Sequence, residues 1–239
     1  MTITVVTSIT DDKIYDECLG ASLRRQKTPF DLIKTDPQLK LTESYIRGIP
    51  NDPETDYLLV THQDMVFLED GYWLDKAEKF CDSLHKLGVA GIAGWHVNSS
   101  IVQGFFVARY GNEDYTNRPP VRYHGKKYVG EIRGLPFREP KEVQVLDDMC
   151  IIIPSEVWRK QKFDAAFEFH LNGQDYCLAV KHNLGLRTYV LPLKTYEVST
   201  TSYVDGYFEK HGRMEPAEQL LKRKWRHLEQ YAGALNLRR

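Results

Sequence analysis

The chain opens on an apolar, β-branched run, ITVVT at 3–7. Thr10, Asp11 and Asp12 then supply side chains suited to cap a helix beginning near Lys13. In that helix Ile14, Cys18, Leu19, Ser22 and Leu23 recur at helical spacing. FDLIK at 30–34 reads as a second strand and YLLVT at 57–61 as a third. From about Asp70, the positions Trp73, Leu74, Ala77, Phe80, Cys81, Leu84 and Leu87 form one helical face, with Gly88 placed as its C-terminal cap. VAGIAGW at 89–95 is another strand. This alternation predicts an α/β domain with a mostly parallel central sheet flanked by helices.

The pattern changes over 102–142, where glycines, prolines, tyrosines and charges crowd together, as hairpins and loops require. Regular order returns with VQVLDDMCIIIP at 143–154, a short helix from Ser155, and a helix over Gln174–His182 ended by Gly185. RTYVLPL at 187–193 is the last clear strand. A tail helix spans about 215–232, with Pro216 at its first position. Its stripe of Leu220, Leu221, Trp225, Leu228 and Tyr231 offers a face for docking on the domain or on a sister subunit. With no internal repeat or low-complexity linker, 1–239 reads as one domain: a core of about 3–202, the 102–142 insert and the tail helix.

Composition narrows the function classes. The 239 residues carry a formal net charge of −1, so nothing overall marks a nucleic-acid or membrane-surface binder. No stretch approaches the ~20 apolar residues of a membrane span, and MTITVVTSITDD lacks the basic start of a signal peptide. A cytoplasmic protein is expected. Cys18, Cys81, Cys150 and Cys177 lie far apart, without metal or disulfide spacing, and read as small buried hydrophobes.

Candidate chemistry starts at YLLVTHQDM, 57–65, where an apolar strand stops on three polar residues. His62 and Asp64 share one side of an extended chain, because side chains alternate. Sites in open α/β sheets form beyond the carboxyl ends of strands. Polar residues stand at such ends at Ser8–Asp12, His62–Asp64 and Asp147-Asp148. The ordered series His62-Gln63-Asp64, Leu146-Asp147, FDAAF at 163–167, Phe169-His170 leading to Asp175, and TYEVSTTS resembles the family 2 glycosyltransferases of GT-A fold. It is most similar to their streptomycin-biosynthesis-like branch, in which HQD replaces the usual D-x-D.

That resemblance implies a GT-A-like single domain transferring a sugar from a nucleoside diphosphate sugar, such as a UDP-sugar, to a saccharide or other hydroxyl acceptor. Inversion at the sugar carbon is expected. Asp64 and Glu197 would hold Mn²⁺ or Mg²⁺ against the diphosphate, with Glu197 standing where the family often has histidine. His62 is open to two roles, a ribose contact or a strand-end cap. Asp175 would be the catalytic base, although acids also stabilise helix N-termini. Asp11, Asp147, Asp148 and His170 would contact substrate, with Asp36 a weaker match. The 102–142 insert would form an acceptor lid.

Two other readings differ in class. A nucleotidyltransferase needs a glycine-rich loop after the first strand, and VVTSITDDK has no glycine. A non-catalytic nucleotide-sugar or glycan-binding protein retaining the fold would explain the substitutions at His62 and Glu197.

Overall fold

The computed structural model describes residues 2–69, 71–95, 137–198 and 214–227, with the backbone of five three-residue strands between 101 and 133. Side chains of the 102–136 part of the insert, and Leu228 and Tyr231 of the tail stripe, lie outside the described residues.

A seven-stranded sheet forms the centre, in the order β12 (Lys141–Val143), β15 (Arg187–Val190), β5 (Leu87–Gly91), β14 (Cys150–Pro154), β3 (Tyr57–Thr61), β1 (Ile3–Ser8), β2 (Phe30–Thr35). β1, β2, β3, β5 and β15 point one way, and β12 and β14 the other. The sheet is mostly parallel, as expected. Alternation sends Val6, Leu58, Val60, Ile151 and Ile153 to one face, packed by α3 (Leu41–Gly48), α5 (Ser155–Lys160), α6 (Asn172–Leu184) and the C-terminal α7 (Met214–Trp225). Val5, Leu59 and Ile152 face the opposite layer, made by α1 (Asp12–Glu17), α2 (Leu19–Leu23) and α4 (Trp73–Ser83). All four cysteines are free and buried.

Several boundaries differ from the sequence reading. The helix expected from Lys13 breaks at Cys18, because the Leu19 amide bonds the Gln63 carbonyl (3.3 Å) and leaves the helical ladder. α4 ends at Ser83, not at Gly88. Gly88 lies inside β5, where a Cβ would stand 2.4 Å from Val180 and 2.8 Å from Leu186, so close packing of α6 explains that glycine. VAGIAGW divides into β5 and β6 (Ala93–Trp95). α3 carries no sequence expectation, although Tyr45 and Ile49 lie one helical turn apart. A further strand, β16 (Thr195–Glu197), follows RTYVLPL, and Pro216 is the third residue of α7. Leu221 and Trp225 of α7 are buried on this chain's own core.

Candidate metal and donor site at the strand ends

Topology brings three separate segments to one sheet edge. β3 leaves the sheet at Thr61. β14 runs antiparallel to it, with Cys150 opposite Thr61, so the Asp147–Met149 entry of β14 meets the His62–Asp64 exit of β3. The His62 amide bonds the Met149 carbonyl (2.9 Å). β4 (Met65–Phe67) then pairs with β16, Met65 opposite Glu197, and the Val198 amide reaches the Asp64 carbonyl (3.0 Å). These two pairings give Asp64, His62 and Glu197 a common meeting place.

Ligand atoms of His62, Asp64 and Glu197 all lie within 4.8 Å of one another, a set that could hold a cation. His62 Nδ1 stands 3.7 Å from Glu197 Oε1. Burial pulls His62 toward the neutral form, but the Glu197 carboxylate and the charges of Asp148 and Asp64 outweigh it and lift its pKa to about 9. Asp64 is pushed up to about 7 by burial and by Glu197, with His62 pulling it back. Burial and the Asp148 charge push Asp147 up to about 7 as well. Burial also raises Asp148, which shares a hydrogen bond with Asp147. Crowded acids that resist ionisation suit a site completed by a cation. One imidazole and two carboxylates match the oxygen and nitrogen donors that Mn²⁺ accepts.

The remaining expected residues have other partners. Asp11 caps α1, its Oδ1 accepting from the Ile14 amide (3.0 Å). Asp36 Oδ1 accepts from the Gln38 amide (2.9 Å) in the turn after β2. His170 packs edge-on against Phe169 and lies within electrostatic reach of Asp148. It precedes Leu171, held at φ 62° as the left-handed entry to α6. Asp175 sits in the first turn of α6 and is only 2% exposed. Its carboxylate accepts from Lys224 Nζ (2.9 Å) and Trp225 Nε1 (2.8 Å) of α7.

Sequence reasoning missed three contributors. Gln63, between the two candidate ligands, turns the other way: its Oε1 accepts from the Thr10 and Asp11 amides (2.9 and 3.1 Å), and its Nε2 donates to Thr10 Oγ1 (2.9 Å). Strand alternation already implies that opposite direction. Tyr45 of α3 is buried, and among the described residues its hydroxyl has no hydrogen-bond partner; it lies in the field of Asp148 and Asp64. A cavity of about 380 Å³ opens beyond β1 and β2, lined by Ser8, Thr10, Gln38, Lys40, Glu168 and Phe169 among others. Lys40 and Glu168 pair across its wall at 3.2 Å. Nothing in the sequence before folding joins residue 40 to residue 168.

Many solved structures share this architecture, two of which carry the comparison here. The mannosyltransferase PcManGT from Pyrobaculum calidifontis, solved with GDP-Man and Mn²⁺, matches with a TM-score of 0.56 at 10% identity, over 98% of this chain and 69% of its own. GalNAc-T7, solved with UDP, GalNAc and Mn²⁺, matches with a TM-score of 0.55 at 8% identity, over 99% of this chain and 54% of its own. The chain thus spans about half the length of the second. At these identities the likeness establishes the GT-A fold. No family model matches the sequence, and no curated protein matches it. Among the described residues, no helix is long and apolar enough to cross a membrane.

Proposed function

We propose that this protein is a metal-dependent glycosyltransferase that moves a sugar from a nucleoside diphosphate sugar to an acceptor hydroxyl, with inversion. The observation that carries the reading is the convergence of His62, Asp64 and Glu197 at the strand-end edge of a GT-A fold. These three residues would hold Mn²⁺, or Mg²⁺, and the bound cation would neutralise the departing diphosphate. The cavity beside Ser8, Thr10 and Lys40 is the nearby recess for the nucleoside. Asp147 and Asp148, half-buried and in the field of His62, would orient sugar hydroxyls, with His170 contributing beside Asp148. In the reaction the acceptor oxygen bonds the anomeric carbon as that carbon's bond to the diphosphate breaks, its electron pair leaving with the diphosphate. The acceptor proton passes to a carboxylate, for which the sequence resemblance offers Asp175. Asp11 acts through the loop it caps. The 102–142 insert supplies the acceptor side, and the protein works in the cytoplasm.

A second reading has one observation in its favour: Asp175 is sealed under α7, as suits a non-catalytic protein that only binds nucleotide sugars or glycans. Calorimetry of UDP and GDP with and without Mn²⁺ tests the site both readings share. Binding should require Mn²⁺ and vanish in Asp64→Ala; equal affinity without metal removes the reading. Sugar transfer onto an acceptor then separates enzyme from binder.

A further inference from the structure

The C-terminal helix engages Asp175 more closely than packing requires. Lys224 Nζ bridges two acids, Asp175 at 2.9 Å and Asp164 at 2.7 Å, while the Trp225 indole donates to the other Asp175 oxygen at 2.8 Å. Both carboxylate oxygens are occupied, and an acceptor hydroxyl has no approach to a residue 2% exposed. Burying an acid that needs a buried partner is a poor way to attach a helix, since well-packed apolar residues hold at least as firmly. A pure scaffold therefore leaves the acid at 175 unexplained.

We propose that α7 is a strap that masks Asp175 in the resting protein and lifts from α6 when transfer occurs. This rests on the reading of Asp175 as the proton acceptor. Three features make the strap releasable. Among the described residues its apolar footing is narrow: only Leu221 and Trp225 are buried, with Met214, Ala217 and Leu220 partly so. Lys224 keeps a partner when it gives up Asp175, because the Asp164 side chain is 40% exposed and stays within reach near the surface. Segments with few buried apolar contacts open at low free-energy cost. Asp164 also belongs to the 163–171 stretch, which ends at Leu171 with its positive φ, and a strained backbone of this kind marks a place that can rearrange. In that same stretch the Phe167 and Glu168 carbonyls accept from the Thr42 hydroxyl and amide, and Glu168 walls the cavity. The strap and the donor recess thus share one connecting segment.

The test uses the 239-residue chain in two variants, Trp225→Phe, which keeps an aromatic side chain but removes the N–H, and Lys224→Met. Circular dichroism and binding of UDP or GDP with Mn²⁺ check that each is folded. Carbodiimide labelling of carboxylates, read by mass spectrometry against exposed Asp31, should modify Asp175 at least tenfold faster in both variants than in the parent. Nucleotide release from UDP- and GDP-sugars with Mn²⁺ should rise by at least threefold, and adding Asp175→Asn should erase the gain. Equal Asp175 labelling in parent and variants overturns the strap. So does faster labelling with nucleotide release unchanged or lowered, which makes α7 a scaffold. Failure of the parent to bind any nucleotide with Mn²⁺ counts against the transferase reading instead, and the labelling comparison still decides whether α7 masks Asp175.

Discussion

Glu197 Oε1 lies 3.7 Å from His62 Nδ1 although 135 residues separate them, because β16 pairs with the β4 strand that follows the HQD segment. The pair sets what the site can bind. An imidazole stands with two carboxylates, and a harder, oxygen-seeking cation gains least from the nitrogen donor. Titration of the metal-stripped protein with Mg²⁺, Mn²⁺ and Co²⁺ should show affinity rising in that order, with Mn²⁺ at least tenfold tighter than Mg²⁺. His62→Asp should narrow the gap between Mn²⁺ and Mg²⁺. Equal affinities in the parent would mean that His62 stays outside the coordination sphere.

Metal binding should also release protons. His62 is lifted to about 9 in the metal-free cluster, so near neutral pH a ligating imidazole must first lose its proton. Mn²⁺ affinity should therefore increase steadily from pH 6 to pH 9. Calorimetry in buffers of differing ionisation enthalpy will count the protons. Affinity independent of pH over this interval would contradict the placement of His62 among the ligands.

Without metal, the same cluster makes stability fall as pH rises. Asp64 and Asp147 go from an ordinary 3.8 to about 7, and His62 from 6.5 to about 9. Between each ordinary value and its raised one, the folded chain holds protons that the unfolded chain has lost, so stability drops with increasing pH. The carboxylate contribution is fully present below pH 4 and lost through about pH 7, and the His62 contribution is lost through about pH 9. Denaturant melts in chelator at pH 5, 7 and 9 should show Asp64→Asn gaining on the parent as pH rises. A parent that gains on the variant instead would refute the direction of these shifts.

Gln63 should matter for structure more than for chemistry. Its side chain makes three hydrogen bonds to the loop after β1, each worth about 0.5–1.5 kcal/mol. Gln63→Ala should cost about 1.5–4.5 kcal/mol and lower Tm by several degrees. Nucleotide affinity should weaken, since the His62–Asp64 segment loses its anchor. An unchanged Tm would show that the loop is held by other means.

Gly173 tests the coupling of α6 to the acid pair. A Cβ there would stand 2.8 Å from Asp148 Cβ and 3.0 Å from its Cα, so backbone must shift. Gly173→Ala should cost about 1–3 kcal/mol and reduce donor turnover at least tenfold, with Asp147 and Asp148 displaced. Normal turnover in a destabilised protein would separate these acids from the reaction.

The apolar runs and helical spacings of the sequence determined the layered α/β order, because periods of 2 and 3.6 are local properties of a chain. They were enough for β1, β2, β3, α5 and α6, for Gly185 at the end of α6, and for polar residues at strand ends. Gly88 and Cys18 were misread because what decides them is non-local: Val180 and Leu186 pressing on one, and the Gln63 carbonyl taking the amide beside the other. Asp64 and Glu197 could be named as candidate ligands from the resemblance, but only the β4–β16 pairing brings Glu197 beside His62 and Asp64. Asp175 could be named too, while its partners Lys224 and Trp225 lie 49 and 50 residues further on. Spacing along a chain records which side chains can share a face. It carries no information on which distant segment will cover that face, and here the covering segment is α7, which sets Lys224 and Trp225 on Asp175.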